Sequence, residues 1–257
     1  MKTLKKIVRK CIYLALSPFV LKDYFAFKKS LREQSRNSNA TSSPYFPSSH
    51  IRIRDFKPRI LDKTVKTGFD AHYVYHTSWA ARKVREINPA RHVDISSSLY
   101  FSGIVSAFIA VDFYDYRPAE LKLSGLTSAH ADLNTLHFAT ESVPSLSCMH
   151  TVEHIGLGRY GDTIDAQGDL KAIAELKRVV TKKGSLLFVV PVGEPKIEFN
   201  AHRIYSYEQV MEYFGDGNFI LKEFSLITDE GNFLEHADLA IVAKQKYACG
   251  CFWFIKR

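Results

Sequence analysis

Two apolar runs near the end of the chain, FILKEFSLIT (219–228) and ADLAIVAKQ (237–245), leave no room for a helix between them. Neighbouring strands without a crossover must pair antiparallel. Upstream, from about residue 68, helix and strand patterns alternate. HTSWAARKVREI (76–87) has helical periodicity, RHVDI is a strand, LYFSGIVSAF a helix, VDFYDY a second strand, LTSAHADL a third and PSLSCMH a fourth. GDLKAIAELKRVVTKKG (168–184) places apolar residues at 170, 173, 174, 176, 179 and 180, and Gly184 is the expected helix stop. SLLFVVPVG (185–193) is a continuous apolar run, as a strand buried on both faces requires. Ser206 is the expected N-cap of SYEQVMEYF. Such alternation builds an α/β, doubly wound, mostly parallel sheet. Seven strands are expected, with a terminal antiparallel hairpin.

The domain expectation is a basic amphipathic helix over 1–29, a linker or wrap over 30–67 and the α/β domain over 68–257. Fourteen Lys or Arg against three Asp or Glu fall in residues 1–60, so about +11 of charge sits there and about −3 on the rest of a chain whose net charge is +8. The basic character belongs to the leading segment rather than to the α/β body, which argues against nucleic acid as a partner. Leu4, Ile7, Val8, Cys11, Ile12 and Ala15 lie on one helical face, with Lys2, Lys5, Lys6, Arg9 and Lys10 opposite. That pattern suits either an anionic membrane surface or packing on a domain. The apolar run 11–21 is too short to span a bilayer, and Pro18 interrupts it. Cys11, Cys148, Cys249 and Cys251 form no disulfide framework, so reduced thiols and a cytoplasmic location, at most at the inner face of a membrane, are expected.

HVDISSSLYFSG (92–103), LSCMHTVEHIGLGRYGD (146–162) and NAHRIYSYEQV (200–210) place acids, histidines and glycines after successive strands. With the closing hairpin, the chain from about 70 to 245 resembles a class I S-adenosylmethionine-dependent methyltransferase. Those three motifs more closely resemble a methyltransferase-like family described as "Caenorhabditis protein of unknown function". Its members are widespread in bacteria, often among genes for surface-polysaccharide assembly. The resemblance implies S-adenosylmethionine as cofactor and O-methylation of a small-molecule or glycan acceptor; metal-assisted chemistry other than methyl transfer on an activated sugar, and a non-catalytic scaffold of glycan assembly, are the alternatives.

On that resemblance Asp94, at the end of the first strand, helps place the methionine part of the cofactor. Asp115, twenty-one residues later at the end of the second strand, accepts from the ribose hydroxyls. Asp132 reads the adenine amine, and Leu133 packs on the ring. Ser96, Ser97 and Ser98 occupy a loop that usually carries glycine. Serine suits it if no residue there needs positive φ, and its hydroxyls can donate to the cofactor carboxylate.

In the second motif His150 and His154, four apart, share a face of a helical turn, with Glu153 beside them. His154, with His150 second, suits a general base for transfer to oxygen. The same histidines with a carboxylate could instead hold a divalent ion, or serve only structural hydrogen bonds. Gly156, Gly158 and Gly161 predict a shaped loop that presents Arg159 and Tyr160. After the fifth strand, Asn200, His202 and Arg203 are candidate donors to an acceptor, and Tyr205 a candidate stacking face.

Overall fold

The computed structural model of the chain describes residues 18, 20–33, 52, 54, 56, 57, 59 and 62–257. The chain divides into two units, residues 1–68 and 69–257. In the first, 20–33 are helical, so the helix reaches four residues into the expected linker. Tyr24 packs edge-on against Phe56 at 5.4 Å, and Lys63 pairs with Asp23 at 3.0 Å. Both faces of the expected amphipathic helix, Lys2 to Lys10 and Leu4 to Ala15, lie outside the described residues. No described helix is long and apolar enough to cross a membrane.

The second unit is built on an eight-stranded sheet of order β3-β2-β1-β4-β5-β10-β8-β9. The strands are β1 (Arg91–Asp94), β2 (Ala110–Asp115), β3 (Leu126–His130), β4 (Val143–Met149), β5 (Val180–Val192), β8 (Phe219–Ile227), β9 (Phe233–Glu235) and β10 (Ala248–Lys256). β1 to β5 are mutually parallel. β10 inserts antiparallel between β5 and β8. The short edge strand β9 brings the count to eight rather than seven. A separate hairpin pairs β6 (Lys196–Glu198) with β7 (His202–Ile204).

Side chains alternate across β5, and helices cover both faces. Leu187 and Val189 point to one face, under Trp79, Ala80 and Val84 of α1 (Ala71–Ile87) and Phe101 and Val105 of α2 (Leu99–Val105). Leu186, Phe188 and Val190 point to the other, under Ala172, Ile173 and Leu176 of α3 (Gly168–Val179) and Val210 of α4 (Tyr207–Tyr213). Ser206 caps α4 in a reciprocal capping box with Gln209, as its position predicted.

Two local expectations are corrected. The helix over 168–184 ends at Val179, and Gly184 lies within β5 instead of stopping a helix. ADLAIVAKQ is not a strand: it holds a single helical turn, α5 (Leu239–Val242), capped by Asp238. The last strand is ACGCFWFIK. A Cβ on Gly250 would come within 2.7 Å of Val192 and 2.8 Å of Phe252, so a glycine in that strand permits close packing.

Candidate active site

In a parallel sheet the strand ends at one edge deliver successive loops to one crevice. Here the ends of β1 to β4 surround a cavity of about 270 Å³, lined by Ser96 and Ser97 after β1, Asp115 at the end of β2, Asp132, Leu133 and Asn134 after β3, and His150 and His154 after β4. Asp115 Oδ1 accepts from the Arg117 backbone N–H at 2.8 Å, and Asp132 Oδ1 from that of Asn134 at 2.8 Å. Each carboxylate is held by its own turn. Asn134 Oδ1 is buried in this wall and has no hydrogen-bond partner among the described residues. A buried acceptor left open costs free energy unless a ligand satisfies it.

The serine turn needs no glycine. Among the described residues, none of Ser96, Ser97 and Ser98 has positive φ. Ser96 Oγ accepts from Met149 N at 3.1 Å and so ties the turn to β4. Ser97 is exposed on the cavity wall, its hydroxyl 3.3 Å from that of Tyr73. Ser98 is the buried N-cap residue of α2 and does not line the cavity.

Asp94 also differs from expectation, since it lies fully buried beneath the cavity rather than on its wall. Ser102 and Ser147 donate to its two oxygens, the latter at 2.5 Å. Ser147 in turn is 2.9 Å from His92 Nε2, and His92 Nδ1 is 2.8 Å from Ser145 Oγ. With the Ser147 proton on Asp94, His92 Nε2–H must donate to Ser147. Burial holds His92 neutral, its pKa down at about 3, and lifts the Asp94 carboxyl to about 6 against serine hydrogen bonds that lower it. A raised acid pKa stabilises the fold below its unfolded value of 3.8, and that advantage is lost as pH rises towards 6. Unfolding free energies of Asp94→Asn and the parent, from urea titrations, should therefore diverge between pH 4 and pH 7 in favour of the variant, by about 2 kcal/mol.

A second cavity of about 590 Å³ adjoins the first through Ser97, His150, His154 and Tyr160. It is lined also by Asp70, His72 and Tyr73 around the start of α1, by Arg159 and His202, and by Asp229 and Tyr247 from the turns flanking β9 and α5. Tyr160 lies between Arg117 and Arg159, whose guanidinium carbons stand 4.8 and 5.0 Å from its ring centre. The loop carrying it is shaped as its glycines predict. Gly156, Gly158 and Gly161 have positive φ, and Asp162 accepts from the N–H groups of Gly156, Gly158 and Tyr160.

His150 and His154 do not share a helical face. His150 leaves β4 with φ 51°, and a 3-10 turn, Val152–His154, follows it. A histidine at positive φ is strained backbone of the kind concentrated at functional sites. Burial disfavours the His150 imidazolium, whereas Cys249 and Glu153 on either side favour it, Nδ1 standing 2.9 Å from Glu153 Oε1 and Nε2 3.3 Å from Cys249 Sγ. Both ring nitrogens are thus engaged by protein groups rather than offered to a substrate. His154 Nδ1 lies 2.6 Å from the Ala201 carbonyl, which can only accept, so Nδ1 carries the proton and Nε2 the lone pair. Burial lowers the His154 pKa below 6.5, which leaves the ring neutral at pH 7.

Of the expected acceptor-binding residues, Arg159, Tyr160 and His202 line the second cavity. Arg203 and Tyr205 do not. Arg203 is buried, donating to the Ile155 carbonyl at 2.6 Å beside Asp169, and Tyr205 donates to Asp169 at 3.0 Å. They pin the β6–β7 hairpin to α3. Asn200 is exposed in the turn of that hairpin and lines neither cavity. The sequence reading missed His72, Tyr73, Asn134, Asp229 and Tyr247. Only Asn134, two residues past Asp132, carried a local signal.

Residues 122–242 match the family described as "Caenorhabditis protein of unknown function, DUF268". No curated protein matches the chain in sequence. Among solved structures, a putative sarcosine dimethylglycine methyltransferase from Galdieria sulphuraria superimposes with TM-score 0.52 at 10% identity, covering 71% of this chain and 85% of its own. Geranyl diphosphate methyltransferase in complex with SAM gives TM-score 0.52 at 11% identity, covering 72% and 87%. A chain of the Haloferax volcanii complex between the Trm112 methyltransferase activator and a putative methyltransferase gives 0.51 at 15%, covering 73% and 90%. The fold is that of the class I methyltransferases. β10 is the antiparallel strand inserted between β5 and β8, and the 270 Å³ cavity sits at the carboxyl ends of β1 to β4.

Proposed function

We propose that the chain is an S-adenosylmethionine-dependent methyltransferase that modifies a hydroxyl of a saccharide or glycan intermediate. The supporting observation is the cavity at the carboxyl ends of β1 to β4, with Asp115, Asp132, Leu133 and the unsatisfied Asn134 oxygen on its wall in strand order. The donor set fits the cofactor. Asp115 has two oxygens for a diol, Asp132 and Asn134 offer acceptors for an amine, Leu133 supplies an apolar face, and Ser97 offers a hydroxyl to a carboxylate. S-adenosylmethionine, when bound, supplies an electrophilic sulfonium methyl group.

The 590 Å³ pocket would take the acceptor. Asp70, Asp229, Arg159 and His202 offer donors and acceptors there, and Tyr160 and Tyr247 offer ring faces, a mixture suited to a hydroxyl-rich ring. His154, on the walls of both cavities, removes the proton of the attacking hydroxyl through Nε2, while the Ala201 carbonyl keeps the ring oriented. The basic segment 1–29 supports placing this activity beside an anionic membrane.

Calorimetric titration of the full chain with S-adenosylmethionine and S-adenosylhomocysteine tests the reading. Micromolar, one-to-one binding of both is the expected result. A folded protein that binds neither ligand would overturn it.

A further inference from the structure

At the inner wall of the acceptor pocket, elements distant in sequence bring together three soft or borderline ligands. His72 comes from α1, His150 from the end of β4 and Cys249 from β10. One ligand atom of each lies within 4.8 Å of the others, and Cys249 Sγ is already 3.3 Å from His150 Nε2. Metal–nitrogen bonds of about 2.0 Å and metal–sulfur bonds of about 2.3 Å around a tetrahedral ion space such atoms about 3.3 to 3.5 Å apart. His72 is only half-buried, its ring 5.9 Å from that of His150 and 5.4 Å from that of Tyr247, and a turn of that ring closes the difference.

The surroundings are those of a metal ligand set. His150 Nδ1 stands 2.9 Å from Glu153 Oε1, the carboxylate–histidine pairing that directs Nε2 toward an ion. Glu153 is buried, and its other oxygen has no partner among the described residues. His76, also buried, packs its ring edge-on at 4.9 Å from that of His150, and its Nε2 has none either. A buried carboxylate and a thiolate balance the charge of a dication.

We propose that His72, His150 and Cys249 form a site for a zinc-class divalent cation, with Glu153 as the positioning residue behind His150. Both histidines line the acceptor pocket, so the fourth coordination position opens into it and takes water or an oxygen or sulfur atom of the acceptor. The assignment of that open position rests on the pocket's role proposed above, whereas the ion site does not.

Tag-free full-length protein, stripped with chelator, is titrated with Co²⁺ and followed by absorption, without any methyl donor. The expected result is one equivalent per chain, with a thiolate-to-cobalt band in the near ultraviolet. Cys249→Ser abolishes the band, Cys148→Ala keeps it, and His72→Asn abolishes saturable binding at micromolar Co²⁺. Glu153→Gln weakens affinity on the order of 10- to 100-fold. If Cys249→Ser fails to fold, His72→Asn decides, because His72 sits on the pocket wall rather than in the core. No stoichiometric uptake by the folded parent, or binding unchanged in His72→Asn, overturns the proposal. Since no methyl donor is present, failure to bind S-adenosylmethionine leaves this result standing.

Discussion

Asp115→Ala lowers the affinity for S-adenosylmethionine and S-adenosylhomocysteine roughly 100- to 1000-fold. The carboxylate ends β2 facing the cavity, and the Arg117 N–H fixes its orientation. A diol held by two hydrogen bonds to a charged acceptor gains about 1.5 to 3 kcal/mol from each. Asp115 is partly exposed, so the lower end of that range applies, and about 3 to 4 kcal/mol corresponds to the stated loss. Alanine leaves the β2–β3 pairing intact, because Ala131 N–H bonds the Asp115 backbone oxygen and not the side chain. Calorimetry on the variant, with its melting temperature alongside, separates the effect from misfolding. Affinity equal to the parent's would place the ribose elsewhere and remove Asp115 from the site.

Asp115, Asp132 and Leu133 were legible because each lies within a few residues of a strand end, and a parallel sheet delivers such positions to one edge. The serine turn was legible in part: sequence indicated that serines fit if φ stays negative, and only the backbone decides that. Arg203 and Tyr205 were misread for a physical reason. A charged residue and a tyrosine after a strand look alike whether they face a ligand or a buried partner such as Asp169. His72 and Tyr247 reach the pocket from α1 and from the turn before β10, a proximity that no local pattern encodes. The final strand failed on length and periodicity. ADLAIVAKQ and ACGCFWFIK are both short apolar runs, and neither alternation nor hydrophobicity separates a buried strand from a helical turn at that length. The closing antiparallel arrangement was nonetheless correct in kind, although β9 and α5 lie between the paired strands β8 and β10 where a direct connection was expected.

His154→Asn lowers kcat on the order of 100- to 10,000-fold, the range of a positioned general base, and leaves S-adenosylmethionine affinity within about threefold of the parent. The choice of asparagine follows from the local hydrogen bonding. Its amide N–H takes the place of Nδ1–H towards the Ala201 carbonyl, so the 3-10 turn and the Arg159 contact with that carbonyl are kept while the Nε2 lone pair is lost. Rates of transfer from methyl-labelled donor to an acceptor found by screening glycan precursors provide the measurement. The pH profile gives an independent reading. Burial sets the His154 pKa below 6.5, and the base must be unprotonated, so kcat is flat at neutral pH and falls as pH drops through that lowered value. In His154→Asn the acidic limb disappears along with most of the rate. A variant that kept the limb would assign it to another group. His150 does not qualify, since Glu153 takes up its Nδ1 at 2.9 Å and its Nε2 faces Cys249 Sγ at 3.3 Å. Loss of the limb in His154→Asn therefore singles out one of two histidines that line the same two cavities.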